Sequence, residues 1–144
     1  MTAFILDASV TAAWLLPDTA SEHTRRLYTL IRRDEVEPQA PNLWQWECSN
    51  LISSGVHSGR IPAASVEGLW SVMEAIRHRV ELHDLAPAQH KAVMDVALDT
   101  GLPTFDAAYL WLARSLRLPL ATFDPQQIAA AQRSGVPLLD LSSL

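Results

Sequence analysis

Ala3-Phe4-Ile5-Leu6-Asp7-Ala8-Ser9-Val10 is a short apolar run that stops at an acid and passes into a helix-forming stretch, Val10 to Leu16, ended by Pro17. It reads as a strand turning into a helix, with Asp7 at the junction. The same shape recurs towards the other end of the chain. Pro119 to Phe123 reads as a strand that ends at Asp124, and Pro125 suits the first turn of the helix that follows.

Working outward from these two junctions, Ser21 opens a helix carrying Leu27, Leu30 and Ile31, and an extended piece near Val36 to Ala40 is bounded by prolines. Pro41 leads into a third helix. There Trp44, Cys48, Leu51 and Ile52 mark the apolar side, and Leu43, Glu47 and Leu51 lie one turn apart, which puts Glu47 at the margin of the buried face. Gly59 to Pro62 is a break, with Pro62 in the first turn of a fourth helix bearing Val66, Leu69, Trp70, Met73 and Ile76. Val80 to His83 reads as a strand. Pro87 begins a fifth helix that Gly101 is placed to end, and after Pro103 a sixth runs from Phe105 to Leu116 with Asp106 in its first turn. Val136 to Leu141 is the last strand. Five strands separated by helices are the pattern of an α/β fold, a parallel sheet covered on both faces. With no internal repeat, low-complexity tract or long linker, residues 1–144 read as one domain.

Nearly half the residues are hydrophobic, yet no apolar run approaches the roughly 18 residues of a membrane span. The amino terminus lacks the basic residue and cleavage site of a signal peptide, and Cys48 is the only cysteine. One cysteine excludes an internal disulfide and a multi-thiolate zinc site, and fits a reducing, cytoplasmic setting. The net charge of -5 runs against the basic excess usual for nucleic-acid partners. Basic charge is almost all arginine, Lys91 being the lone lysine, in pairs such as Arg25 with Arg26 and Arg114 with Arg117 that suit solvated helix faces. A cluster of four carboxylates accounts for most of the negative balance, and a bound divalent ion would neutralise it locally.

Ligands of open parallel sheets bind beyond the carboxyl ends of the strands. Asp7 and Asp124 fall there, Asp106 begins a helix just before the strand carrying Asp124, and Glu47 lies one turn inside a helix that follows a strand. Singly, each Asp could be a helix cap and Glu47 a solvated helix residue. Together, four acids from four segments point to one site. Two unit charges about 4 Å apart repel by roughly 4 kcal/mol at an effective dielectric near 20. Shared protons or a hard cation must offset that, and all-oxygen ligands select magnesium or manganese over zinc. Ser9 and Thr122 offer a second shell of oxygens. Magnesium on carboxylates suits phosphodiester hydrolysis, where it activates water and stabilises charge on the attacking and leaving oxygens.

Four segments carry a family resemblance: Ile5-Leu6-Asp7-Ala8-Ser9, Ala40-Pro41-Asn42-Leu43-Trp44-Gln45-Trp46-Glu47, Thr104-Phe105-Asp106-Ala107-Ala108-Tyr109 and Leu120-Ala121-Thr122-Phe123-Asp124. In order and spacing they cover nearly the whole chain, which resembles the PIN-domain nucleases and, among these, the VapC-type toxins of bacterial toxin–antitoxin pairs. The Asp-Ala-x-Tyr segment is the most specific. Phe105 stands where tyrosine is common in the family. The resemblance implies a five-stranded parallel sheet flanked by helices, magnesium (or manganese) at Asp7, Glu47, Asp106 and Asp124, RNA cleavage, a homodimer, and inhibition by a small cognate antitoxin.

Other folds that cluster acids fit less well. A phosphate-receiver domain needs a strand-edge lysine, whereas Lys91 falls in a helix, and a haloacid-type phosphatase needs Asp-x-Asp where this chain has Asp7-Ala8-Ser9. No glycine-rich dinucleotide turn or phosphate-loop lysine is present, and the five histidines show no ligand-like pairing. The competing class is a PIN fold kept as a silent RNA- or protein-binding module. Such a binder gains nothing from four mutually repelling carboxylates. Trp46 projects away from the apolar side of its helix, one residue from Glu47, and is a candidate anchor for a protein partner.

Overall fold

In a computed structural model that describes residues 1–144, strands β1 (Thr2–Leu6), β2 (Val36–Pro41), β3 (Glu81–His83) and β4 (Leu120–Ala121) form one parallel sheet in the order β3-β2-β1-β4. Helices α1 (Ala8–Leu15), α2 (Glu22–Arg32), α3 (Leu43–His57), α4 (Val66–Arg77), α5 (Pro87–Thr100), α6 (Thr104–Leu116) and α7 (Pro125–Ser134) connect and cover them. Helices α1 to α4 pack on one another, while α6 lies on β1 and β2 and carries α5 and α7 against it. Phe4, Ile5 and Leu6 are wholly buried between these two groups, at the centre of a core of 30 residues. None of the helices is long and apolar enough to cross a membrane.

The sheet has four strands, not the expected five. Val136 to Leu141 contributes one bridge, Leu138 opposite Leu120, instead of a strand. The Pro137 carbonyl accepts from Leu120 N–H and Leu139 N–H donates to the Leu120 carbonyl, after which Asp140 caps a turn of 3-10 helix at Leu141–Ser143. The strand expected over Pro119 to Phe123 also shortens to Leu120–Ala121. Beyond it, Phe123 N–H turns to Ser9 Oγ and Asp124 N–H to Thr122 Oγ1, so neither donor is left for the ladder.

Element ends follow their residues. Ser21 caps α2 through a reciprocal pair of hydrogen bonds with Thr24, and Gly101 and Gly135 end α5 and α7 in the left-handed conformation that glycine adopts without strain. Pro87 and Pro125 open α5 and α7, where a missing N–H costs nothing. Pro62 instead precedes a 3-10 turn, Ala63–Ser65, and α4 starts only at Val66. Pro38 is tolerated inside β2 because pairing with β3 begins at Gln39, leaving Pro38 at a stretch without a neighbour on that side.

Candidate active site

The carboxyl ends of β1 and β4 lie side by side, since Leu6 pairs with Ala121 and Asp7 N–H donates to the Ala121 carbonyl at 3.0 Å. That places Asp7, the N-cap of α1, beside the turn that carries Asp124, the N-cap of α7. Asp106 enters from the first turn of α6 and Glu47 from the second turn of α3. All four line one pocket of about 260 Å³, together with Ala8, Ser9, Asn50 and Leu51. No lysine or arginine lines it.

Asp7 is the floor of the pocket, with 4% of its surface exposed. Its Oδ2 accepts from Ser9 Oγ at 2.5 Å and Thr122 Oγ1 at 2.9 Å, and its Oδ1 accepts from Gln127 Nε2 at 3.2 Å. Burial pushes its pKa up, the Ser9 and Thr122 hydrogen bonds oppose that, and the charge of Asp124 adds to the rise. Ser9 and Thr122 therefore spend their hydroxyl protons on Asp7. They orient a carboxylate; they do not present free donors to the pocket.

Glu47 is half-buried, and burial raises it to about 7, with the charges of Asp7 and Asp106 adding and the hydrogen bond from Tyr109 opposing. Tyr109 is wholly buried on α6, and its hydroxyl donates to Glu47 Oε1 at 2.6 Å. The spacing of Asp106 and Tyr109 thus has a geometric use: the first faces the pocket, and the second, one turn on, reaches across to α3 and holds the glutamate. Trp44, also buried, donates from Nε1 to Thr11 Oγ1 at 3.0 Å and fixes the start of α3 on α1. Asp106 rises to about 6, first through burial and then through the charges of Asp7 and Asp124, with the Gln127 amide opposing.

All four acids picked out in the sequence thus border one pocket. Three residues that matter to it were not singled out. Gln127 is completely buried, donates to Asp7, and keeps an Oε1 without a hydrogen-bond partner. Its only sequence signal is its place three residues after Asp124, in the first turn of α7. Tyr109 sat inside a quoted motif without a role, and Asn50 lies one turn beyond Trp46 on α3.

As the side chains stand, no three acidic, histidine or cysteine groups converge closely enough to grip one ion between them. The donors are all oxygen, and the raised Glu47 and Asp106 show the electrostatic cost that a divalent cation would relieve.

No protein-family model matches the chain, and no curated protein sequence matches it. Solved structures do. PAE2754 from Pyrobaculum aerophilum superposes with a TM-score of 0.70 at 22% identity, over 99% of this chain and 92% of that one. FitAcB from Neisseria gonorrhoeae does so with a TM-score of 0.59 at 17% identity, over 98% of this chain and 99% of that one. At such identities the likeness is one of fold, and it runs the length of the chain.

Proposed function

We propose that this chain is a magnesium-dependent ribonuclease, and that it acts as the toxin of a toxin–antitoxin pair. The observation that carries the nuclease assignment is the convergence of Asp7, Glu47, Asp106 and Asp124, from four separate elements, on one pocket at the carboxyl edge of the sheet. The fold shared with PAE2754 and FitAcB supports the PIN-domain reading. The toxin role, a small antitoxin partner, a homodimer and a cytoplasmic setting rest on the resemblance of the four sequence segments to VapC-type toxins.

A bound magnesium or manganese ion would supply an activated water and charge stabilisation at the phosphate. Asp7, with both oxygens oriented by Ser9, Thr122 and Gln127, is the pre-organised ligand. Asp106 and Asp124 line the same pocket and would add negative charge beside the ion. Glu47 has a different aptitude. Its Oε1 is held by Tyr109, so Oε2 is the atom free to take a proton at the edge of the pocket.

The decisive experiment is incubation of purified protein with a mixed RNA pool. Cleavage that requires magnesium or manganese and stops in chelator is expected, and full activity in excess chelator refutes the metal assignment. Growth arrest on expression, followed by mapping of new RNA ends in the arrested cells, tests the toxin role and reports the sequence cut.

A further inference from the structure

We propose that the side-chain amide of Asn50 donates to a non-bridging oxygen of the phosphate being cut, which adds Asn50 to the four acids as a catalytic residue. This deepens the nuclease reading above and rests on it. Asn50 is exposed and lines the acidic pocket, three residues after Glu47 on α3, a spacing that sets both side chains on one face of the helix. Tyr109 anchors Glu47 Oε1 at 2.6 Å, so the part of α3 that carries Asn50 is fixed against α6. Asparagine favours caps and turns over helix interiors. Position 50 is the middle of α3, where it caps nothing, so local structure does not account for it.

The pocket is rich in acceptors and poor in donors. Of the eight residues that line it, two are apolar, and the four acids only accept once ionised. Ser9 Oγ gives its proton to Asp7 Oδ2 at 2.5 Å and accepts from Phe123 N–H at 2.9 Å. No cation reaches in from the neighbouring cleft between α3 and α4, where both oxygens of Glu74 hold Arg77 at 2.8 Å. Asn50 Nδ2 is therefore the one uncommitted side-chain donor of the pocket. Its neighbours on α3 sharpen the contrast. Gln45 donates to Asn42 Oδ1, Ser49 to the Gln45 carbonyl and Ser53 to the Asn50 carbonyl, whereas the Asn50 amide makes no hydrogen bond within the protein.

The chemistry needs such a donor. Hydrolysis of the diester forms a bond from a water oxygen to phosphorus and breaks the bond from phosphorus to one ribose oxygen. One water proton passes to Glu47 Oε2 and later to solvent, and the departing ribose oxygen takes up a proton from water. While both bonds are partial, negative charge rests on the non-bridging oxygens, in a pocket whose own ionisable groups are all acids. A bound divalent ion would meet part of that charge. A pre-positioned N–H meets more of it, and removing one such donor from an enzyme typically lowers kcat by roughly 100- to 1000-fold.

The test compares native protein with Asn50→Ala and Asn50→Asp. Thermal unfolding in chelator checks that each is folded, calorimetry measures manganese affinity, and cleavage is followed on an oligoribonucleotide that spans a cut mapped in the mixed RNA pool. Asn50→Ala should lower kcat by roughly 100-fold or more, with KM and manganese affinity close to native. Asn50→Asp keeps the shape but loses the donor, and should be no more active. The scissile phosphate is then given one sulfur, at each non-bridging oxygen in turn. Sulfur accepts hydrogen bonds weakly. At the oxygen that Asn50 contacts it should slow native protein but not Asn50→Ala, and exchanging magnesium for manganese should not restore the rate. Native kcat in either variant, weakened manganese binding by Asn50→Ala, or a sulfur penalty equal in native protein and Asn50→Ala overturns the assignment of Asn50 and leaves the nuclease reading standing. Native protein that cleaves no RNA overturns the nuclease reading and this assignment with it.

Discussion

Replacing Glu47 by glutamine should stabilise the metal-free protein at pH 8 and leave it unchanged at pH 4. A carboxyl held at about 7, against 4.5 when unfolded, favours the protonated form in the folded state. Its contribution to stability is fully present below 4.5 and is lost as pH rises through about 7. For a fully buried group that rise corresponds to about 3 kcal/mol at 1.36 kcal/mol per pKa unit. Glu47 is only half-buried, and solvent screening reduces the figure to about 1–2 kcal/mol. Glutamine never ionises and its Oε1 still accepts from Tyr109, so Glu47→Gln escapes the loss. For a chain of 144 residues the gain appears as a Tm about 3–6 °C above the native protein at pH 8. At pH 4 both side chains are neutral and the curves should coincide. In magnesium the same variant should lose at least about tenfold in RNA cleavage, since a carboxylate at the site has been neutralised. Thermal unfolding in chelator across this pH range reads the first effect, and a cleavage assay on the same samples reads the second. A variant that is destabilised equally at pH 4 and pH 8 would refute the reasoning, because Glu47 would then act through packing alone.

Asp7→Asn and Asp106→Asn should leave metal-free stability unchanged or higher while cleavage falls sharply; Asn caps a helix about as well as Asp, so wild-type cleavage by the Asp7 variant would reduce that residue to a cap. Asp106 makes no capping bond in α6, where Pro103 holds the N-cap position, so retained cleavage there would remove it from the site. Tyr109→Phe deletes the donor to Glu47 and should cost roughly 1.5–3 kcal/mol at pH 8, with a smaller loss at pH 4, where the acceptor is neutral; urea unfolding at the two pH values checks the difference. Gly55→Ala puts a Cβ 2.3 Å from Ile61 Cδ1. It should destabilise the protein by up to about 2 kcal/mol, as overpacking exceeds the gain in helix propensity, without altering the metal dependence of the folded fraction.

Much of this protein was legible in its sequence because the relevant signals are local. A four-residue apolar run ending in Asp7, proline at the first positions of α5 and α7, and glycine after their last turns each act through backbone geometry within a few residues. The alternation of strands and helices therefore declared a parallel sheet, and the edge where such sheets bind ligands followed from its polarity. That is why the four acids could be nominated without coordinates. What the sequence could not declare depends on which distant groups compete for the same hydrogen bonds. Whether Val136 to Leu141 becomes a strand turns on donors near Leu120 that Ser9 and Thr122 divert, and on the Asp140 cap, so only one rung forms. Tyr109 meets Glu47 across 62 residues, and Gln127 meets Asp7 across 120. No periodicity encodes either meeting.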